Sequence, residues 1–189
     1  MTDLLKDFVE NKVKSTPVNI KRIGGGFYAD VYKTDYKDSD SIIVKIYKSQ
    51  GIMCQEVSQI QLLSKYALYP MPKVLWTHSA DEHLGYDAMA MNFLEGENAG
   101  NIYYLAPSKR NALAEQVVDN LLAFHNVHNP EGFGKINSDR YCNTFNEYYK
   151  EHVDAILKMA EHLHANGQMS EYIMNTVKVA AEKFDKIFY

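Results

Sequence analysis

Hydrophobic and polar positions along the chain indicate a strand-rich first half and a helical second half. Residues 2–14 carry apolar side chains at helical spacing, and the region after them contains five short runs typical of strands. These predicted strands cover residues 18–23, 27–36, 42–47, 73–77 and 86–94. One predicted helix, residues 52–67, lies between the third and the fourth strand. Because polar turns join neighbouring runs, we expect an antiparallel sheet with one inserted helix.

Only helical patterns follow the last predicted strand. The predicted helices cover residues 107–128, 144–166 and 170–189. The second of these helices has a specific start signal, because Thr144 and Glu147 have the spacing of a capping box. We therefore expect an α+β protein with two parts. A lobe of residues 1–97 would contain the sheet, and residues 98–189 would be all-helical.

Three consecutive glycines, Gly24, Gly25 and Gly26, stand between the first two predicted strands. Because glycine has no side chain, a phosphate could approach the backbone N–H groups of such a stretch closely. The same glycines would also suit a hairpin that needs them only for a tight bend. On the glycines alone the simple hairpin is the favoured interpretation.

Two charged residues stand where the surrounding pattern is apolar. Lys45 lies within the apolar third strand, and Glu56 falls inside the apolar stripe of the inserted helix, between Ile60 and Leu63. An unpaired carboxylate in such a stripe would be unfavourable, so we expect Glu56 to meet a cation, with Lys45 as the candidate. The alternative is that Glu56 lies at the edge of the stripe and extends into solvent.

Composition further narrows the class of protein and the kinds of partner that can be expected. The chain has 189 residues, 46% of them apolar, and a formal net charge of -4, so it can bury a sizeable core and gives no reason to expect nucleic acid or an anionic membrane as a partner. Its two cysteines, Cys54 and Cys142, form no metal or disulfide pattern. No export signal or membrane-spanning run is present, and we expect a soluble, cytoplasmic protein.

Five segments resemble, in order and spacing, the aminoglycoside phosphotransferase and choline kinase family. The segments are residues 24–45, 55–63, 70–75, 91–96 and 121–125. The resemblance covers about residues 18–135. It implies a protein-kinase-like small lobe followed by the helical start of a large lobe, ATP and Mg²⁺ as cofactors, and transfer of a phosphoryl group to a hydroxyl of a small molecule.

The resemblance also implies a nucleotide site. The glycine-rich loop would cover the phosphates, Lys45 would hold the α- and β-phosphates, and Glu56 would orient Lys45. A hinge after the fifth strand would meet the adenine through its backbone. The residues assigned to the site in this way are Gly24, Gly25, Gly26, Val31, Lys45, Glu56, Asn92, Phe93 and Leu94.

The sequence departs from the family pattern in its last part. The family's catalytic loop, a His-Gly-Asp with an asparagine five residues beyond the aspartate, has no counterpart, and neither has the later metal-binding aspartate. Residues 152–154 have the right outline, but Met159 stands in the asparagine's place. Asp139 and Asn143 are four residues apart, and Asp185 lacks a following Phe-Gly. We therefore expect neither catalytic residues nor Mg²⁺ ligands in this chain.

The leading hypothesis is the N-terminal part of an ATP-dependent small-molecule phosphotransferase, which binds nucleotide without completing catalysis. Its acceptor would be aminoglycoside-, choline- or sugar-like. The alternative is a non-catalytic, kinase-like module for nucleotide sensing or protein contact. A dinucleotide-binding domain is disfavoured, because the glycines lie between two strands rather than at the start of a helix.

An interrupted helical lobe would also leave apolar surface uncovered. The apolar residues at the end of the last predicted helix, Phe184, Ile187 and Phe188, are the ones we expect to be exposed. Contiguous apolar patches commonly find a partner, so self-association through the C-terminal helices is expected.

Overall fold

A five-stranded antiparallel sheet forms the centre of the first part of the chain. The computed structural model describes residues 2–97, 100, 103–136 and 138–187. The strands are β1 (Asn19–Gly25), β2 (Ala29–Asp35), β3 (Ile42–Tyr47), β4 (Val74–His78) and β5 (Ala88–Asn92). They lie in the order β1-β2-β3-β5-β4, and each neighbouring pair is antiparallel. The predicted five-stranded sheet of an α+β fold is therefore confirmed.

Helices flank the sheet and form the later part of the chain. They are α1 (Thr2–Val13), α2 (Ile52–Leu63), α3 (Pro107–His125), α4 (Phe145–Ala165), α5 (Glu171–Glu182) and α6 (Phe184–Ile187). The inserted helix, α2, ends earlier than the predicted residue 67. The N–H groups of Lys65 and Tyr66 donate to carbonyls three residues back, which tightens the chain beyond an α-helical turn. Among the described helices, none has the length and apolarity needed to cross a membrane.

Alternation along β3 places its side chains on both faces of the sheet. On one face the fully buried Val44 belongs to a core cluster with Val9 of α1. On the other face Tyr47 belongs to a second cluster with Met53 of α2. Lys45 follows Val44 directly and therefore lies on the face that α2 covers. The sheet thus lies between α1 and α2, and the charged side chain of Lys45 is on the side that α2 covers.

Strand register places Lys45 in the middle of the sheet. It pairs with Val31 on β2 and with Met89 on β5, and Val31 pairs in turn with Gly24 on β1. Gly24, Val31 and Lys45 therefore form one row across three neighbouring strands. A register shift on β1 between Arg22 and Gly24 places the first glycine of the loop, and not Ile23, in this row with the strand lysine.

The chain divides into two compact units, Met1–Val127 and His128–Tyr189. Helix α3 belongs to the first unit, where the side-chain oxygen of Asn120 accepts the N–H of Leu68 at 2.9 Å. The lobe boundary predicted between residues 97 and 98 lies beside residues outside the described part of the chain, and it stays a prediction.

The second unit contains α4 and α5. The predicted capping box at the start of α4 is confirmed. The Thr144 side-chain oxygen accepts the N–H of Glu147 at 3.1 Å, and the Glu147 carboxylate accepts the N–H of Thr144 at 3.4 Å. Two backbone donors that the helix start would leave unpaired are satisfied in this way.

The prediction that Phe184 lies exposed is wrong. Its side chain is only 7% exposed, and its ring stacks on that of Tyr149 with the centroids 5.9 Å apart. The reason is a break in the predicted helix, because α5 ends at Glu182 and the short α6 starts at Phe184. The side chain of Ile187 and all of Phe188 lie outside the described residues. Self-association stays a prediction.

Candidate functional site

The predicted ion pair between β3 and α2 is present. Lys45 Nζ donates to Glu56 Oε1 at 2.5 Å, and the two side chains are 19% and 30% exposed. The pair is partly buried because α2 packs on the face of the sheet to which Lys45 belongs. The alternative in which Glu56 extends into solvent is therefore wrong. The ion pair explains why both charged residues, Lys45 and Glu56, stand in apolar stretches.

Tyr47 is a third member of this group that the sequence did not reveal. Its hydroxyl donates to Glu56 Oε2 at 2.8 Å, and its side chain is 1% exposed. Burial, and then the hydrogen bond to Glu56, raise the pKa of Tyr47 well above its ordinary value. Because Tyr47 lies two residues after Lys45, both side chains are on one face of β3. Each oxygen of the Glu56 carboxylate is thus held by a different donor.

The glycine loop joins β1 to β2, and its glycines differ in their roles. Gly25 has a φ of +152°, and a Cβ added there would lie 3.1 Å from the carbonyl oxygen of Ala29 and within 2.7 Å of two side-chain ends. A Cβ added at Gly24 or Gly26 would meet nothing within 4 Å. The bend itself therefore requires Gly25, while the other two glycines leave open space beside the backbone.

One backbone donor expected to be open to a phosphate is already used. The N–H of Gly26 donates to the carbonyl of Ala29 at 2.8 Å, which closes the turn. The next two residues, Phe27 and Tyr28, form the exposed tip, with side chains 84% and 58% exposed. Among the described contacts their N–H groups donate no hydrogen bond. The donors left for an anion are therefore at the tip and not at Gly26.

A charged cluster holds the base of the loop. The Asp30 carboxylate accepts from Arg22 Nη2 at 2.7 Å, and Lys48 Nζ lies 3.4 Å from the same oxygen. The hydrogen bond from Arg22 is the main reason why the pKa of Asp30 is lowered. Lys48 Nζ also donates to the carbonyl of Gly26 at 2.9 Å. Two cations thus meet one carboxylate beside the glycines.

The three predicted hinge residues are not equally available. The N–H of Asn92 donates to the carbonyl of Lys73 at 3.1 Å, and the N–H of Phe93 donates to the carbonyl of Ser41 at 3.3 Å. The N–H of Leu94, which follows them, forms no hydrogen bond among the described contacts. Of the three, Leu94 therefore has the backbone donor that is left for a ligand, and the hinge role stays a prediction.

The described residues do not fit a magnesium site. Among them, no group of three or more His, Cys, Asp or Glu side chains is arranged to hold a metal. The two carboxylates nearest the glycine loop and the strand lysine, Asp30 and Glu56, are each occupied by cationic or hydroxyl donors. Neither therefore offers a free anionic ligand.

A cavity of about 530 Å³ lies away from these residues. Its lining includes Phe8 of α1 and His78 of β4, together with Asp81. The cavity lies beside α1, on the face of the sheet opposite to α2. Its lining therefore includes none of the residues that the sequence assigned to the nucleotide site. The glycine loop and the Lys45–Glu56 pair, not the cavity, remain the candidate site.

Solved structures with the same fold include aminoglycoside phosphotransferases. The gentamicin complex of APH(2")-IIa matches with a TM-score of 0.64 and 14% sequence identity, over 95% of this chain and 56% of that chain. A thermostable APH(4)-Ia mutant with ADP and hygromycin B gives 0.63 and 12%, over 95% and 58%. The GDP complex of aminoglycoside 2'-phosphotransferase-IIIa gives 0.63 and 13%, over 95% and 57%. The chain thus spans little more than half the length of these proteins.

Residues 19–172 match the phosphotransferase enzyme family, APH. Since the match spans most of the chain, this protein belongs to that family. A comparison with curated protein sequences finds no match. The predicted family and the kinase-like fold of the first part are therefore confirmed.

Proposed function

We propose that this chain is the nucleotide-binding part of an ATP-dependent phosphotransferase that acts on a small molecule. Family membership supports the reaction class. Structural neighbours in complex with ADP and GDP support a nucleotide as ligand, and neighbours in complex with gentamicin and hygromycin B support a small acceptor. The acceptor group would be a hydroxyl of an aminoglycoside-, choline- or sugar-like molecule.

The observation that carries the proposal is the row Gly24–Val31–Lys45 with Glu56 behind it. Two strand spacings separate the glycine loop from the strand lysine, which is about 10 Å. The ion pair with Glu56 holds the Lys45 ammonium in place next to the sheet. An anion between the loop and Lys45 would therefore meet backbone on one side and a fixed cation on the other.

Each residue would have a distinct task in this site. The open space beside Gly24 and Gly26 lets phosphate oxygens approach the loop. The N–H groups of Phe27 and Tyr28 are the donors left for them, and Lys45 neutralises their charge. Glu56 positions Lys45, and the N–H of Leu94 is available to the adenine edge. ATP supplies the phosphoryl group that is transferred. Gly25 is needed for the bend rather than for a direct contact.

We further propose that this chain does not complete the transfer by itself. Phosphoryl transfer needs a group that orients or deprotonates the acceptor hydroxyl. The sequence has no His-Gly-Asp with an asparagine five residues beyond the aspartate. The same feature favours the second candidate, a nucleotide-sensing module without catalysis. With ATP and gentamicin, the pure chain is expected to form no phosphorylated product by mass spectrometry, and stoichiometric product would contradict this.

Calorimetric titration with ATP and ADP tests the binding proposal. The unmodified chain should bind both, and Lys45→Ala should weaken binding about ten- to hundredfold, as expected for the loss of a charged hydrogen bond. Lys6→Ala is the matched control, because it removes an exposed lysine from α1 on the other face of the sheet. Absence of binding by the unmodified chain, or equal affinity of Lys45→Ala, would overturn the proposal.

A further inference from the structure

Lys48 contacts the glycine loop twice, once through its backbone and once through its side chain. Its N–H donates to the carbonyl of Tyr28 at 2.9 Å, and its Nζ donates to the carbonyl of Gly26 at 2.9 Å. The residue follows the last residue of β3 and lies three positions after Lys45. β3 therefore provides the fixed cation of the candidate site, and the residue directly after it provides the contacts to the loop.

Packing does little to hold this loop. A Cβ at Gly26 would meet nothing within 4 Å, and the side chains of Phe27 and Tyr28 are mostly exposed. Consecutive glycines leave the backbone many conformations, and ordering them on ligand binding costs conformational entropy. A contact that orders the loop before the ligand arrives would therefore raise affinity.

The carboxylate of Asp30 helps to place the Lys48 side chain next to the carbonyl of Gly26. Asp30 Oδ1 lies 3.4 Å from Lys48 Nζ and accepts from Arg22 at 2.7 Å. Asp30 therefore draws the Lys48 ammonium toward the base of the loop, where the carbonyl of Gly26 is within reach. Arg22 contacts the same carboxylate but no loop carbonyl among the described contacts.

We propose that Lys48 is a positioning residue for nucleotide phosphates: from the end of β3 it fixes the glycine loop at the carbonyls of Gly26 and Tyr28. The inference rests on the proposed nucleotide function. Lys48 acts through the loop carbonyls of Gly26 and Tyr28 and is not assigned a contact with the nucleotide. Substituting Lys48 should consequently lower the affinity for ligands that carry phosphates and not the affinity for adenosine.

The test compares ADP with adenosine, because only ADP has phosphates beneath the loop. Lys48→Met should weaken ADP binding about tenfold and leave adenosine binding unchanged in NMR titrations. Lys48→Arg should restore most of the ADP affinity. Arg22→Met, the control that removes one cation from the same cluster, should have a clearly smaller effect. Hydrogen exchange at the Gly26 amide should become faster in Lys48→Met.

The outcomes separate this inference from the proposed function. No ADP binding by the unmodified chain would contradict the nucleotide function itself. If that chain binds ADP and Lys48→Met binds it equally well, the inference about Lys48 is overturned while the function stands. Equal losses for ADP and adenosine, or equal losses in Lys48→Met and Arg22→Met, would also overturn it, because the effect would then be general rather than specific to the loop.

Discussion

The two sides of the candidate site are held in different ways. On the sheet side, Lys45, Glu56 and Tyr47 form a partly buried group in which each carboxylate oxygen has its own donor. On the loop side, Phe27 and Tyr28 are exposed, and the loop is held by the Gly26–Ala29 hydrogen bond and by two hydrogen bonds from Lys48. The sheet side depends on the same packing that stabilises the fold, whereas the loop side does not.

This difference indicates how the site divides its tasks. A cation on a central strand is placed by the register of three strands and by the packing of α2, so its position is set before any ligand binds. A glycine loop can adapt, and its order depends on a few exposed polar contacts. Substitutions on the sheet side should therefore change stability and binding together, while those at Gly26 and at the Lys48 side chain should change binding with little effect on stability.

The largest effect is expected for Glu56→Ala. The substitution removes the acceptor of both Lys45 and Tyr47, and it leaves a partly buried ammonium and a buried hydroxyl unpaired. We expect a loss of about 2–4 kcal/mol in the unfolding free energy of the first unit, together with weaker ATP binding. Urea unfolding followed by fluorescence of Trp76, the single tryptophan, measures it. Gln61→Ala on an exposed position of α2 is the control and should stay within about 0.5 kcal/mol.

A smaller loss of stability is expected for substitutions of the loop glycines. Comparing Gly25 with Gly26 should separate the glycine needed for the bend from the one that leaves space for phosphates. Gly25→Ala should destabilise the first unit by about 1–3 kcal/mol, because a φ of +152° is strained for a residue with a side chain and the new Cβ would lie only 3.1 Å from the Ala29 carbonyl oxygen. Gly26→Ala should change stability by less than about 1 kcal/mol and still lower ATP affinity. A Gly26→Ala variant with full affinity would show that the space beside the loop is not used.

A smaller effect on stability than those of Glu56→Ala and Gly25→Ala is expected for Tyr47→Phe, which removes only the hydroxyl that holds Glu56 Oε2. Loss of this hydrogen bond should cost about 0.5–1.5 kcal/mol and weaken ATP binding severalfold. Unlike Glu56→Ala, the substitution leaves the Lys45–Glu56 ion pair in place. Equal effects of the two variants on binding would contradict the view that Lys45 is the main contact.

The raised pKa of Tyr47 adds a test with pH. An unfolded tyrosine ionises near pH 10, whereas folding favours the neutral phenol of Tyr47. Its contribution to stability is therefore complete below about pH 10 and is lost as pH rises above that value. The stability difference between the unmodified chain and Tyr47→Phe should be constant between about pH 6 and 9 and should shrink above about pH 10.

The site residues that could be predicted from the sequence are those that interrupt a regular apolar pattern. Lys45 and Glu56 were recognised because each interrupts an apolar stretch, and their pairing follows from the need to compensate both charges. Tyr47 was missed because a tyrosine fits an apolar strand, and its hydroxyl partner depends on where α2 packs. Lys48 was missed because a lysine at the end of a strand is usually solvated.

The helical part shows the same limit. The start of α4 was predicted correctly because Thr144 and Glu147 satisfy local backbone donors, which needs no knowledge of tertiary structure. The break within the last predicted helix was not predicted, because no glycine or proline marks it before Phe184. Phe184, the first residue after the break, stacks on Tyr149 of α4, and this contact between helices has no local sequence signal.

The most direct test of the central claim is an ADP titration of the isotopically labelled chain followed by amide NMR. We expect shifts concentrated at residues 24–28, at Lys45 and its neighbours on β3, and at Leu94. The cavity residues His78 and Asp81, on the other face of the sheet, should not shift. Shifts centred on His78 and Asp81, or none at saturating ADP, would contradict the assignment of the glycine loop and Lys45 as the nucleotide site.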